Sequence, residues 1–244
     1  MNNSVLILGA ASDIGIAIAE KYASKGYHLL LAARNITRLT ALQSDLQIRY
    51  KISCNLLEFD AAAFSTHEKF WESISNKPGI VISVIGYMKE NDQVVASQNE
   101  TLATIHSNFT GLVSLLNIIA ADFAARKEGT IAGISSVAGM RGRQSNYIYG
   151  SAKAGFTAYL SGLRNKMYQH NVHVMTVLPG FVYTKMTEEL NLPKLLTAQP
   201  KDVANAVFNG IQKRKNIIFV KWFWRWIMLI ITSIPESIFK KKKL

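Results

Sequence analysis

Tyr149 and Lys153, in the run Tyr149-Gly150-Ser151-Ala152-Lys153, are the residues of this chain whose types and spacing best suit proton transfer, and Ser136 stands thirteen residues before the tyrosine. A tyrosine and a lysine four apart on a helix share a face, one turn from each other. The lysine's charge then favours the phenolate and brings the phenol pKa towards neutrality. A phenol so tuned can give or take a proton in an alcohol–ketone conversion. Such a pair also occurs often by chance, so the elements that carry it decide its meaning.

Short apolar, β-prone runs at 5–8, 28–32, 52–59, 80–85, 130–135 and 172–178 read as strands. Helical patterns lie between them, near 14–25, 37–47, 63–75, 100–125 and 146–170. Strands alternating with helices make βαβ units, hence a parallel sheet covered on both faces. The expected fold is a single Rossmann-like, doubly wound α/β domain. It should span 1–215, with 216–244 holding a last strand and a basic, aromatic-rich tail.

The first strand runs into Gly9-Ala10-Ala11-Ser12-Asp13-Ile14-Gly15 and then a helix. Glycines in this context let the backbone approach a pyrophosphate seated on the helix N-terminus. Asp13 occupies the middle glycine position and sets a like charge near that pyrophosphate unless it turns away to cap the helix. A plain strand–helix turn with Ser12 or Asp13 as N-cap is the competing interpretation. The second strand ends in Leu31-Ala32-Ala33-Arg34, where an acidic residue would hold the ribose of NAD. Arg34 offers a cation to a ribose 2′-phosphate instead, which favours NADP(H).

Composition narrows the class. The chain has 244 residues, 49% of them apolar, and Cys54 is its one cysteine, which excludes a disulfide framework or a cysteine-based metal site and suggests a reducing compartment. Five scattered histidines lack metal-ligand spacing, so no metal is expected. The N-terminal apolar run lacks the flanks of a signal peptide. From Gln212 onward nine Lys/Arg face Glu236 alone, so this end carries +8 of the +12 net charge and the first 211 residues carry +4. A net basicity carried mostly by one end, and interleaved there with tryptophan and isoleucine, points to a membrane surface before nucleic acid.

These residues together resemble the short-chain dehydrogenase/reductase family over essentially the first 210 positions. Gly9-x₅-Gly15, Asn108, Ser136, Tyr149, Lys153 and Pro179-Gly180-Phe181-Val182-Tyr183-Thr184 stand in that family's order and spacing. The resemblance implies that Tyr149 protonates the developing alkoxide and Ser136 polarises the substrate carbonyl. It implies that Lys153 lowers the tyrosine pKa and binds the nicotinamide ribose, while Asn108, inside the long helix, holds a relay water. Pro179, Gly180, Val182 and Thr184 would cover the nicotinamide and pyrophosphate. Gly9, Ser12, Asp13, Ile14, Gly15, Arg34, Asp60 and Gly86 complete the expected cofactor contacts. Ser135 is the alternative to Ser136, and Tyr147 replaces Tyr149 only by breaking the spacing to Lys153. The family's Asn-rich N-A-G segment reads Ser83-Val84-Ile85-Gly86 here, which leaves adenosine-side contacts mainly to backbone. A homodimer or homotetramer through the helices carrying Asn108 and Tyr149 is also implied.

The tail departs from ordinary members. Residues 217–220 suit a last strand, and the remainder to Ile234 makes about fourteen residues of helix, too short to span a bilayer. On a helical wheel Lys221, Arg225, Met228 and Thr232 form a narrow stripe with apolar residues around it, as an interfacial helix would. A lid or an oligomer interface is the alternative. Asp13, the loop Met140-Arg141-Gly142-Arg143-Gln144 and the ending Ile234-Pro235-Glu236-Ser237-Ile238-Phe239-Lys240 resemble the keto-reductase branch of the decaprenylphosphoryl-ribose 2′-epimerase system. That branch implies NADPH-dependent reduction of a keto sugar on a polyprenyl phosphate, after a separate FAD-dependent oxidase, at the inner face of the membrane. Arg141 or Arg143 would meet the lipid phosphate. A long-chain 3-keto lipid reductase, or a non-catalytic NADP-binding protein recruited to membranes, are the competing functions.

Overall fold

The computed structural model describes residues 3–187 and 193–242. Seven parallel strands form one sheet in the order β3-β2-β1-β4-β5-β6-β7. They are β1 (Ser4–Leu8), β2 (His28–Ala33), β3 (Cys54–Glu58), β4 (Ile80–Ser83), β5 (Thr130–Ile134), β6 (His173–Pro179) and β7 (Ile217–Val220). The chain winds outward from β1 to β3, then returns to pair β4 with β1. The strand order reverses there, and a crevice opens at the carboxyl ends of these two strands.

Both faces of the sheet are covered. On one side α1 (Asp13–Ala23) buries Ile18, Ala19 and Tyr22, and α2 (Thr40–Tyr50) adds Leu46. On the other lies α3 (His67–Ser73), followed by α4 (Asn91–Ala96) and α5 (Gln98–Ile105). A π turn, His106–Thr110, joins α5 to α6 (Gly111–Arg126), so the helix expected at 100–125 is interrupted at Asn108. By length and composition alone Gln98–Arg126 passes as a membrane span, yet Leu112, Leu115, Leu116 and Ile119 pack into the core. Phe156 and Leu160 of α7 (Tyr147–Tyr168) join them.

α8 (Pro200–Gln212) went unassigned in the sequence, although its signals are present. Pro200 opens it, Asp202 accepts the Gln199 N–H at 3.0 Å, and Val203, Val207 and Ile211 recur at helical spacing on its buried side.

The tail docks on the domain through α9 (Trp224–Ser233) and the short α10 (Glu236–Phe239). Trp224 and Met228 are buried with Val137 and Leu178 in a small third core. The expected stripe is split: Met228, apolar and in phase with Trp224, is fully buried, whereas Arg225 and Thr232 stay exposed. The opposite side leaves Trp222, Trp226 and Ile230 exposed at 74%, 54% and 67%. Gly180 makes the docking possible, because a Cβ there would lie 1.9 Å from Cε2 of Trp224.

Arg141 fastens the far end of α9. Its Nη1 donates to the carbonyls of Ile231 (2.9 Å), Thr232 (3.1 Å) and Ile234 (2.6 Å), and Nη2 donates to Glu236 Oε2 at 2.9 Å. The guanidinium also lies 3.8 Å from the Phe239 ring centre.

Candidate active site

A cleft of about 780 Å³ lies along the carboxyl ends of the strands. Tyr149 and Lys153 enter it from the first turns of α7, whose four-residue spacing aligns them, with Lys153 Nζ 5.7 Å from the tyrosine ring centre. Ser136 follows β5 and offers its hydroxyl to Tyr149, while its Oγ accepts the Ala138 N–H at 3.1 Å. Ser135 is spent elsewhere: its hydroxyl donates to the Lys153 carbonyl at 2.9 Å and lies 2.7 Å from Thr157 Oγ1. Tyr147 is exposed and does not line the cleft.

The electrostatics differ from the simple expectation of a lysine pulling a phenol towards neutrality. Burial pushes the Tyr149 phenol up to about 12, against a smaller downward pull from the Ser136 hydrogen bond. Burial also brings the Lys153 ammonium down to about 7. Its Nζ donates to the carbonyls of Ile134 (3.2 Å) and Ile85 (3.5 Å), and no carboxylate balances it among the described residues. Desolvation dominates at both groups. Tyr149 therefore rests as a neutral proton donor.

Asn108 is fully buried behind the cleft wall. Its Nδ2 donates to the carbonyls of Tyr87 (2.6 Å) and Thr104 (2.8 Å), and its Oδ1 accepts the Tyr87 N–H at 3.2 Å. The side chain thus ties the loop after β4 to α5, with both amide hydrogens committed. The π turn makes this possible by freeing helical backbone for a side-chain bond.

The other end of the cleft fits a dinucleotide. Gly9 adopts φ +86, and a Cβ on Gly15 would lie 2.6 Å from the Gly9 carbonyl oxygen, so the turn admits only bare backbone at both. Ser12 is the N-cap of α1, accepting the Gly15 N–H at 3.1 Å. Asp13 lines the cleft and reaches the loop after β6, where its Oδ2 accepts the Lys185 N–H at 2.8 Å. Ile14, Arg34, Asp60 and Gly86 line the cleft, as do Pro179, Gly180, Val182 and Thr184. Asp60 Oδ1 accepts the Ala62 N–H at 3.0 Å, and Gly15 shapes the turn without lining it. Sequence reasoning missed Arg38, a second cation beside Arg34, and Asn35, Met186 and Trp224. Arg38 had a signal: a basic residue one turn beyond the basic strand end.

The two loop arginines part company. Arg141 does not line the cleft, since its guanidinium is consumed by the end of α9, which corrects its expected place at the substrate. Arg143 does line it.

Fold and site together define a nucleotide-dependent dehydrogenase, with a phosphate turn at one end of the cleft and a Ser–Tyr–Lys proton site at the other. The short chain dehydrogenase family model matches residues 3–194, and the chain belongs to that family. An uncharacterized oxidoreductase of Mycobacterium tuberculosis is 31% identical over 240 residues, covering 97% of this chain and 96% of that one. A 3-oxoacyl-[acyl-carrier-protein] reductase of Bos taurus is 25% identical, over 78% of this chain and 80% of its own. A short-chain dehydrogenase from Sphingobium yanoikuyae, solved in complex with NADPH, superposes with TM-score 0.83 at 25% identity, covering 96% and 97% of the two chains.

The basic end of the cleft yields a direct expectation. Arg34→Ala should weaken NADPH binding about tenfold, the scale of one lost charge-assisted contact, and change NADH binding less than about twofold. Fluorescence titration of both nucleotides checks it. Equal weakening would remove Arg34 from the 2′-phosphate.

Proposed function

We propose that this chain is an NADPH-dependent ketoreductase working at a membrane surface, with a ketone on a polyprenyl-phosphate-linked sugar as substrate. The observation carrying this reading is that α9 faces two ways. Its Trp224 lines the cleft, while Trp222, Trp226, Leu229 and Ile230 stand exposed beside Arg225, with Lys240, Lys241 and Lys242 further on. Tryptophans and cations around an apolar helix suit an interface. Each lysine near an anionic surface adds about 1 kcal/mol; Lys243 lies outside the described residues.

NADPH, when bound, supplies the hydride. Arg34 and Arg38 suit its 2′-phosphate, and the turn at Gly9 and Gly15 suits the pyrophosphate. Ser136 donates to the ketone oxygen, Tyr149 passes its phenolic proton to the same oxygen as negative charge develops, and Lys153 steadies the phenolate that remains. One ketone, one NADPH and one proton give one alcohol and one NADP⁺. A separate FAD-dependent oxidase would have to generate the keto sugar. We place the protein at the inner face of a membrane as a homo-oligomer.

A second reading, reduction of a long-chain 3-keto lipid, is favoured by the similarity to the 3-oxoacyl-[acyl-carrier-protein] reductase. NADPH oxidation with membrane lipid extract, followed by mass spectrometry of the reduced product, separates a sugar lipid from a 3-hydroxy acyl lipid. Absence of turnover with every ketone, despite NADPH binding, would leave only a non-catalytic nucleotide-binding protein.

The membrane part has its own test. A Trp222→Ser, Trp226→Ser double variant, altering only exposed side chains, should lose at least about tenfold in affinity for vesicles containing phosphatidylglycerol. Its Tm should be unchanged. Equal sedimentation of both proteins with those vesicles would count against the membrane assignment.

A further inference from the structure

The loop between Arg141 and α7 contains two polar side chains without partners. Arg143 lines the cleft, and its Nε is buried with no hydrogen-bond partner. No carboxylate pairs with it among the described residues, and burial lowers its pKa. A guanidinium is rarely left this way, because a desolvated charge without a counter-charge is costly.

Asn146 is the second. It occupies the N-cap of α7, where an asparagine ordinarily accepts a hydrogen bond from the helix's own N–H groups. Its side chain caps nothing, and Oδ1 is buried without a partner while the residue lines the cleft. The backbone ties the two together, since the Asn146 N–H donates to the Arg143 carbonyl at 3.1 Å. Three residues later comes Tyr149. Arg34 and Arg38 belong to the β2 end of the cleft, whereas Arg143 and Asn146 belong to the segment joining Ser136 to Tyr149. Their location therefore assigns them to the substrate and not to the cofactor's ribose phosphate.

We propose that Arg143 and Asn146 form a seat for the substrate's head group. Arg143 takes an oxyanion carried on the ketone, and Asn146 accepts from a hydroxyl beside it. This rests on the ketoreductase reading and narrows it to anionic, hydroxylated ketones. A planar guanidinium fork suits phosphate or carboxylate oxygens, which an ammonium meets only as a point charge. Arg141 holds the loop from the opposite side by its bonds to α9, and so helps to fix the seat.

The test uses NADP⁺-loaded full-length protein titrated by calorimetry with hexyl phosphate, hexanoate and hexanol. Hexyl phosphate should bind wild type at least about tenfold more tightly than hexanol. Arg143→Gln should erase that preference, and Arg143→Lys should retain part of it. Asn146→Asp, which sets a like charge beside the anion, should weaken hexyl phosphate about tenfold. NADP⁺ affinity should stay within about twofold in all three variants. Hexanoate binding that depends equally on Arg143 supports the seat and assigns a carboxylate to the substrate. Equal hexyl phosphate affinity in wild type and Arg143→Gln overturns the proposal, as does parallel loss of NADP⁺ binding. If no ketone is reduced while hexyl phosphate still depends on Arg143, the ketoreductase reading falls and the seat stands.

Discussion

Tyr149→Phe is expected to lower kcat for ketone reduction about 10³-fold, the range associated with loss of a positioned general acid. NADPH affinity should stay within about twofold. The substitution removes one oxygen and leaves the ring where it packs. The Lys153 ammonium, at about 7, holds an exchangeable proton nearby, but Nζ points to the carbonyls of Ile134 and Ile85. It should not replace the phenol at the substrate oxygen. Stopped-flow NADPH oxidation measures the rate, and fluorescence titration measures the affinity. Undiminished turnover would remove Tyr149 from the chemistry.

Lys153→Met is expected to abolish turnover and yet stabilise the resting protein at pH 7. Lys153 is 2% exposed, and its pKa falls from 10.5 to about 7 on folding. Between those values the unfolded chain binds the proton and the folded one does not, so wild-type stability rises with pH across that window. Near pH 7 nearly the whole penalty is present, at most about 5 kcal/mol at 1.36 kcal/mol per pKa unit. Leaving two carbonyls without their donor costs roughly 1–2 kcal/mol each. The net gain for the methionine variant is about 2 kcal/mol at pH 7. It vanishes between about pH 8 and 9 and is reversed by about pH 10, because the penalty falls with pH while the lost bonds do not return. Thermal melts of both proteins from pH 6 to 10 check this. A wild-type Tm that does not rise with pH relative to the variant would mean that Lys153 is not desolvated.

Much of this was legible from residue spacing. All seven strands fall where the sequence placed them, the inner ones because strands buried on both faces are written as continuous apolar stretches. The Tyr149–Lys153 pair was legible because helical spacing is a local rule. Two kinds of feature were not. The pKa balance depends on how many layers of protein cover a group, and adjacent residues do not record that depth. Arg141 and Arg143, two residues apart and identical in chemistry, are parted by contacts that Arg141 makes ninety residues away in sequence, as with Ile231. Met228 was misplaced for a related reason. It was grouped with Lys221, Arg225 and Thr232, of which Arg225 and Thr232 stay exposed, whereas Met228 docks one turn from Trp224.

The π turn at His106–Thr110 has a consequence for the length of the chain. It holds one residue more than regular α-helix would need, so α5 and α6 are out of phase with each other. Removing a single residue there would let the two join as one regular helix, and would swing α5 by about 100°. Glu100, which binds Tyr87 Oη and Lys89 Nζ on the far side of the cleft wall, would lose both. Asn108 would lose its hold on Tyr87 in the same rotation. In this segment an exchanged side chain disturbs one contact, whereas a lost residue would turn the whole wall out of register.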